Sequence, residues 1–312
     1  MTFKRLPDSV LVQALDIIEE YGSAHLAILA GATDIPRNTL ERRAAAGKLR
    51  GLRPTFKKEA PRIYQKQRLG RMHMVIPDTQ VKPGVNTDHL EWAGNYASEK
   101  RPDVIVMIGD WFDMPSLSSY DKGKLAFEGR RYVDDIKAGR KAMERFLKPI
   151  QETKDYKPRL VFTLGNHEHR VIRVADNNPE FSGKFSFDDL GLKDYGWEVH
   201  DFLKPVLIDG IEYCHYFTSG VMGRPVASAA TLLRERQRSC TQGHVQHTDI
   251  AIHKKTQNIA LFSGTFYQHD EDYLGYQGNN QRRQIVIKHE VDGEGHYDPM
   301  FVSLKFLEKA YS

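Results

Sequence analysis

One stretch, LVFTLGNHEHR at residues 160–170, constrains the fold more than any other part of the chain. Five uncharged residues run into a glycine, and the next four positions hold an amide, two imidazoles and a carboxylate. A short apolar run bounded by a turn signal reads as a buried strand of the parallel type. Asn166, His167, Glu168 and His169 together are too rich in hydrogen-bonding and metal-binding groups for an ordinary turn. The strand therefore delivers polar side chains into a pocket; the plain alternative is a polar loop that opens a helix.

The surrounding sequence supports the strand. From residue 72 the pattern predicts a strand at 73–76, a helix at 88–99, a strand at 104–108, a helix near 131–149 and the strand at 160–164. Strands alternating with helices imply parallel pairing with both sheet faces covered. After about residue 195 the pattern turns strand-rich. Segments 206–208 and 211–216 flank Asp209-Gly210, a strong hairpin signal. Further strands are expected near 249–253, 258–263, 284–288 and 300–305, with a polar, aromatic loop at 264–282. The expected fold class is α/β, a two-layered mixed β-sheet sandwich flanked by helices, filling residues 72–312.

A small all-α domain is expected ahead of it, over residues 1–52. Leu11, Leu15 and Ile18 share one face of a helix at 9–21, with Gly22 placed to end it. Ser23 can cap a second helix through Ala30. Pro36 suits the first position of a third helix, which Gly47 would stop. Leu40 and Ala44 would face inward, leaving Arg37, Asn38, Thr39, Arg42 and Arg43 outside. The stretch YGSAHLAILAGATDIPRNTLERRAAAG thus resembles the small helix-turn-helix domains of bacterial and phage regulators. Arginine and asparagine at those outer positions would contact base edges, and further arginines would hold phosphates. A three-helix packing or dimerisation module is the alternative.

Charge points the same way. Residues 1–71 hold 14 Lys+Arg against 7 Asp+Glu, a surplus of +7, while the whole chain is only +4. Residues 37–71 reach +10, with 12 basic residues against Glu41 and Glu59. Residues 53–71 read as a basic linker. A basic block beside a mildly acidic body suits a polyanion, here DNA, although solvated basic linkers also occur. No run approaches the roughly 20 apolar residues of a membrane span, and the start lacks a signal-peptide core. Two cysteines, Cys214 and Cys240, are too few for a disulfide framework, so the cytoplasm is the expected compartment and no membrane partner is expected.

Four segments set metal-capable side chains just behind strands. They are Asp78-Thr79-Gln80, Gly109-Asp110-Trp111-Phe112-Asp113, Gly165-Asn166-His167-Glu168 and Gly243-His244-Val245-Gln246-His247; His215 sits within the second hairpin strand. Ligands at the carboxyl ends of neighbouring strands converge on one crevice. Mixed carboxylate, amide and imidazole donors suit manganese, iron or zinc rather than a calcium cage.

Over residues 72 to about 250 these ordered motifs resemble the calcineurin-like metallophosphoesterase superfamily of phosphatases, cyclic-nucleotide phosphodiesterases and nucleases. The resemblance implies two divalent ions, with Asp110 bridging them. Asp78 and the residue at Gln80 would complete one site; Asn166, His215 and His244 would complete the other. His167 would protonate the leaving oxygen, oriented by Asp113, with Arg170 neutralising phosphoryl charge and a metal-bound water attacking in line. Two departures stand out. The family usually has histidine where Gln80 stands, and again at the position of Gln246, with His247 one step beyond. Gln246 and His247 are both candidate ligands. The neutral amide of Gln80 predicts a loose first site that favours manganese or magnesium over zinc.

The first function expected is a DNA nuclease of phage-encoded type, brought to its substrate by the N-terminal domain. The others are a phosphatase of phosphoprotein or small phosphate esters, and a non-catalytic DNA-binding regulator with a degenerate site. Helix-turn-helix proteins often dimerise, but no heptad or dimer element is visible.

Overall fold

The computed structural model describes residues 6–21, 23–55, 70–181, 183–271, 279 and 281–312. Gly22, most of the expected basic linker and residues 272–278 and 280 of the expected polar loop lie outside the described residues. The chain divides into two compact units, Met1–Gln67 and Arg68–Ser312. No described helix is long and apolar enough to cross a membrane.

The first unit is helical. Helices α1 (Asp8–Tyr21), α2 (Ala24–Leu29) and α3 (Arg37–Leu49) pack around Ala14, Leu15, Ala24, Leu40 and Ala44. Leu11 is fully buried, whereas Ile18 is half-buried. Ser23 caps α2 by accepting from Leu26 N at 3.1 Å. Pro36 stands at the cap of α3 rather than inside it. Gly47 does not stop α3 but lies within it. A Cβ there would come 2.9 Å from Leu15 Cδ1, so the glycine serves the close approach of α1. The helix ends two residues later, where the Arg50 guanidinium donates to Leu6 O and Asp8 Oδ1, each at 2.8 Å.

The second unit is a four-layer α/β sandwich. Its first sheet runs β13 (Asp298–Ser303), β12 (Gln284–Val291), β1 (Arg71–Ile76), β2 (Val104–Met107), β3 (Arg159–Thr163) and β4 (Glu198–His200). Strands β1 to β4 are parallel; β12 and β13 join antiparallel. The second sheet runs β10 (Thr248–Ile252), β11 (Ile259–Ser263), β9 (Cys240–Gln242), β6 (Ile211–Tyr213) and β5 (Val206–Ile208). Here β11, β9 and β6 are parallel, with β10 and β5 antiparallel at the edges. The short strands β7 (Thr218–Ser219) and β8 (Arg224–Pro225) pair only with each other.

Period-two alternation explains why the strands read as continuous apolar runs. Val75, Val106, Ile108 and Val161 face the second sheet, meeting Ile208, Ile211, Tyr213 and Leu261. Met74, Ile76, Ile105, Met107 and Phe162 face the other way, onto α4 (Asp88–Lys100), α5 (Tyr132–Glu152) and α8 (Leu304–Tyr311). The short helix α6 (Arg170–Asn177) adds Val171 to the same core. A strand covered on both faces has no polar side to show. Helix α7 (Ala229–Arg236) covers the outer face of the second sheet through Ala229, Leu232 and Leu233. The fold class expected from the sequence is the one observed, a mixed-sheet sandwich flanked by helices, with helices at the N-terminus as well.

Local differences have physical causes. The strand expected at 211–216 stops at Tyr213, so His215 lies past it, still tied to the neighbouring chain by the Gly243 N–H donating to its carbonyl at 2.9 Å. Strand β9 carried no period signal, being three residues of Cys, Thr and Gln. The strand expected at 300–305 ends at Ser303, whose side chain caps α8 by accepting from Phe306 N at 3.2 Å.

Candidate metal centre

Parallel neighbours β1, β2 and β3 end at the same edge of their sheet, so residues 77–80, 108–113 and 164–168 gather there. Parallel β6 and β9 bring Cys214-His215 and Gly243-His244 to the corresponding edge of the second sheet. The loops touch. A Cβ at Gly165 would collide with the Asp110 carboxylate, so this position must be glycine. Glu168 holds the loops in register from the inside. Fully buried, its Oε2 accepts from Asp110 N at 2.9 Å and Gly165 N at 2.8 Å, and its Oε1 from Phe112 N at 2.9 Å. Gln80, Asp110, His244 and Gln246 all adopt positive φ, between 43° and 64°. Left-handed backbone at non-glycine residues is costly and gathers where a site demands it.

Ligand atoms of Asp110, His215 and His244 lie within 4.8 Å of one another. His215 Nε2 is 3.3 Å from Asp110 Oδ2 and 2.9 Å from Asn166 Oδ1. Its other nitrogen, Nδ1, meets the Ile108 carbonyl at 2.9 Å, which fixes the tautomer and aims Nε2 into the centre. Both oxygens of buried Asp78 accept from His244 N, at 3.1 and 3.2 Å. Gln80 Oε1 is buried without a hydrogen-bond partner among the described residues. Gln246 Oε1 accepts from the Tyr267 hydroxyl at 3.2 Å.

Electrostatics mark a gap in charge at the same place. Burial pushes the Asp78 carboxyl up to about 7, and neighbouring Asp110 adds to the push against the pull of His215. Burial pushes His215 down, but the Asp110 carboxylate outweighs it and holds the imidazole at about 9. Burial raises Asp110 too, yet His167 and His215 hold it below the usual carboxylate range. His244 falls to about 4 through burial and the nearby His215. Protons are thus retained where buried carboxylates crowd, and Gln80, whose amide oxygen has no partner among the described residues, lines the same cleft. A divalent cation fits this donor set.

Beside the ligands stands His167, with Nδ1 3.0 Å from Asp113 Oδ1 and Nε2 3.8 Å from Asp110 Oδ2. Burial pushes its pKa down; Asp110 and Asp113 outweigh that and leave it above the ordinary value. Arg170 Nη2 comes 2.9 Å from His167 Nε2, a contact that suits a ring unprotonated at that nitrogen. The same guanidinium donates through Nη1 to Asp113 O at 2.7 Å and Met114 O at 3.2 Å. Lys82, which no sequence signal singled out, lies 3.5 Å from Asp113 Oδ2 and donates to Glu271 at 2.8 Å.

A cleft of about 1020 Å³ opens over these groups, lined among others by Gln80, Asp110, Asp113, Asn166, His167, Arg170, His244 and Gln246. Of the two residues the sequence left open, Gln246 is buried at the cleft. His247 is exposed and outside it, with Nδ1 3.1 Å from Val245 O and its ring 5.7 Å from Phe262. Lys124, Arg130 and Arg131 border the cleft. In the N-terminal unit, Arg37, Asn38 and Arg42 are exposed on α3, while Thr39 and Arg43 are half-buried. Arg37 pairs with Glu41 at 2.8 Å.

Among solved structures, that of YfcE, described as a phosphoesterase from E. coli, is similar, with a TM-score of 0.35 and 11% identity over 69% of this chain and 87% of that one. No family model matches the chain. By sequence it is similar to the Gene 54 proteins of Mycobacterium phages L5 and D29, each 30% identical over 121 residues. That match covers 38% of this chain and 45% of each relative, so the chain spans about half the length of the curated relatives it matches.

Proposed function

We propose that the chain is a metal-dependent phosphodiesterase that cleaves DNA. The observation that carries this reading is the gathering of Asp110, His215 and His244 within 4.8 Å, beside the His167–Asp113 pair and under one cleft. Two divalent ions, manganese first and magnesium, iron or zinc as alternatives, would be held around Asp110. Asp78, Gln80 and Gln246 would hold one, and Asn166, His215 and His244 the other. When bound, such ions neutralise phosphoryl charge and lower the pKa of an attacking water towards about 7.

The remaining steps belong to side chains. His167, kept above its ordinary pKa by Asp110 and Asp113, gives its proton to the leaving oxygen. For that, substrate must take the place of the Arg170 contact at Nε2. Arg170, anchored on the carbonyls of residues 113 and 114, then offers its outer nitrogen to a phosphoryl oxygen. Glu168 keeps the Asp110 and Gly165 amides where the loops need them.

Delivery to DNA is assigned to the N-terminal unit, read as a helix-turn-helix with α3 as its recognition helix. Its exposed Arg37, Asn38 and Arg42 and the +10 surplus of residues 37–71 support this. Residues 30–36 connect α2 to α3, a longer turn than the roughly 3–4 residues usual in that motif. About three phosphate contacts would weaken DNA binding ~40-fold between 50 and 200 mM salt. Flat affinity across that range would remove the DNA assignment.

The decisive assay is nicking of supercoiled plasmid in manganese by the wild type, Asp110→Ala and His167→Ala. Cleavage by the wild type, lost in both variants, is expected. Asp110-dependent hydrolysis of a phosphate monoester without any plasmid cleavage would instead make the protein a phosphatase.

A further inference from the structure

The segment between Asp113 and α5 forms one wall of the cleft and carries an aromatic ring with nothing to pack against. Tyr120 lines the cleft, is 80% exposed, and has no ring contact or hydrogen-bond partner among the described residues. Two other large apolar side chains nearby, Leu125 and Val133, are exposed but do not line the cleft. A general docking face would use all three; a ligand lying in the cleft would meet Tyr120 alone.

The wall is braced. Arg130 donates to Pro115 O at 3.1 Å and to Asp121 at 2.7 Å, and its guanidinium sits 5.8 Å from the Phe127 ring centre. Asp135, buried at the start of α5, accepts from Ser116 N at 2.9 Å. The wall also begins at the chemistry, since the Asp113 and Met114 carbonyls that anchor Arg170 lead directly into it. Two cations line the same cleft as the tyrosine. Lys124 is 62% exposed, with Asp121 at 3.3 Å; Arg131 donates to the Arg130 carbonyl and meets no carboxylate among the described residues.

We infer that this wall selects nucleotide substrates, with Tyr120 stacking on a base of the leaving group and Lys124 and Arg131 holding the adjoining phosphate. The inference rests on the phosphodiesterase reading and adds a base-recognising residue to it. Every base offers a π-face, so the selection is for nucleobases in general and not for one sequence. It lies on the His167 side, where a leaving group must point to receive that proton.

The test compares two diesters with the full chain in manganese. One is a short oligodeoxynucleotide of abasic residues, which has the same diester but no base; the other is a short single-stranded oligothymidylate. Wild type is expected to favour the oligonucleotide in kcat/KM. Tyr120→Ala should lower that preference about tenfold, chiefly through KM, and Tyr120→Phe should retain it. Tenfold corresponds to about 1.4 kcal/mol. An unchanged preference in Tyr120→Ala, or an equal loss in Tyr120→Phe, would overturn the stacking role. The base-free diester separates this from the reading beneath it. If neither diester is hydrolysed while a nitrophenyl monoester is, the phosphodiesterase reading itself fails; if the base-free diester is cut and Tyr120→Ala changes nothing, only the wall is wrong.

Discussion

The two halves of the proposed metal centre meet at Asp110 but are built from different chemistry. On the side of Asn166, His215 and His244, the donors are held by other contacts. His215 is fixed through the Ile108 carbonyl, and the His244 ring lies 4.5 Å from Tyr216 and 5.2 Å from His215. On the side of Asp78, Gln80 and Gln246, one carboxylate at about 7 is joined by two neutral amides, one of them with an oxygen unpartnered among the described residues. Outer contacts orient ligands and typically change metal affinity 10- to 100-fold. The imidazole half is therefore preorganised, whereas on the amide side Gln80 has no partner for its oxygen among the described residues to orient it.

Removing what the halves share should have the largest effect. Asp110→Ala deletes a carboxylate adjacent to both His167 and His215 and the acceptor for His167 N. Turnover of a phosphodiester should fall by about 10³-fold or more, the scale of losing ~4 kcal/mol of transition-state stabilisation. Steady-state rates at saturating manganese measure it. A loss under tenfold would mean that the centre does not work as one unit.

Next in size is the response of stability to pH. Without metal, the folded-state pKa of His215, about 9, exceeds its ordinary 6.5. Its contribution is full below pH 6.5 and is lost as pH rises towards 9. Metal competes with that proton, so stabilisation by manganese should grow over the same window. The gap in Tm between manganese-loaded and chelator-treated protein should widen by roughly 2–5 °C from pH 6.5 to 8.5. On the acid side the sign reverses. His244, His73 and His89 are all depressed to about 4 by burial, so stability is lost as pH falls from 6.5 through 4. A gap that narrows above pH 6.5 would remove His215 from the centre.

Gln80→His tests the difference between the halves directly. Imidazole is a stronger ligand than a neutral amide and favours softer metals. The variant should bind zinc about tenfold tighter, with manganese affected less, in competition titrations. Equal gains for both metals would show that position 80 limits affinity by geometry and not by donor type.

Much of the fold could be read from pattern, for reasons particular residues make clear. The runs at 73–76, 104–108 and 160–164 stood out because both faces of each strand are covered, leaving no polar alternation to blur them. Strand β9 did not stand out, although it is central, because Cys240-Thr241-Gln242 is too short and too polar for any period. Motif spacing pointed to Asp78, Asp110, Asn166 and His244, and these residues lie together because each follows a strand end at the same edge. It had no means of finding Lys82, which reaches Asp113, or Glu271, which holds that lysine from 189 positions away in the chain. Gly47 misled because glycine both ends helices and admits close neighbours, and only the packing of Leu15 distinguishes the two.

The smallest effect concerns the pair that spacing could not separate. An imidazole is the better donor, so composition favoured His247, while the motif favoured Gln246. Backbone geometry decides which side chain is available. With Gln246 at φ 60°, its side chain turns into the cleft beneath Tyr267, and the next residue turns out towards Phe262. Successive side chains on such a turn cannot both reach one cation. His247→Ala should thus leave metal affinity and phosphodiester turnover within about twofold, since it removes an exposed ring, its contact with the Val245 carbonyl and its packing on Phe262, all outside the cleft. Gln246→Ala should weaken metal binding about tenfold, by removing a buried oxygen at the cleft. The reverse order of effects, measured by manganese titration of the two variants, would mean that the 243–247 turn rearranges when metal binds.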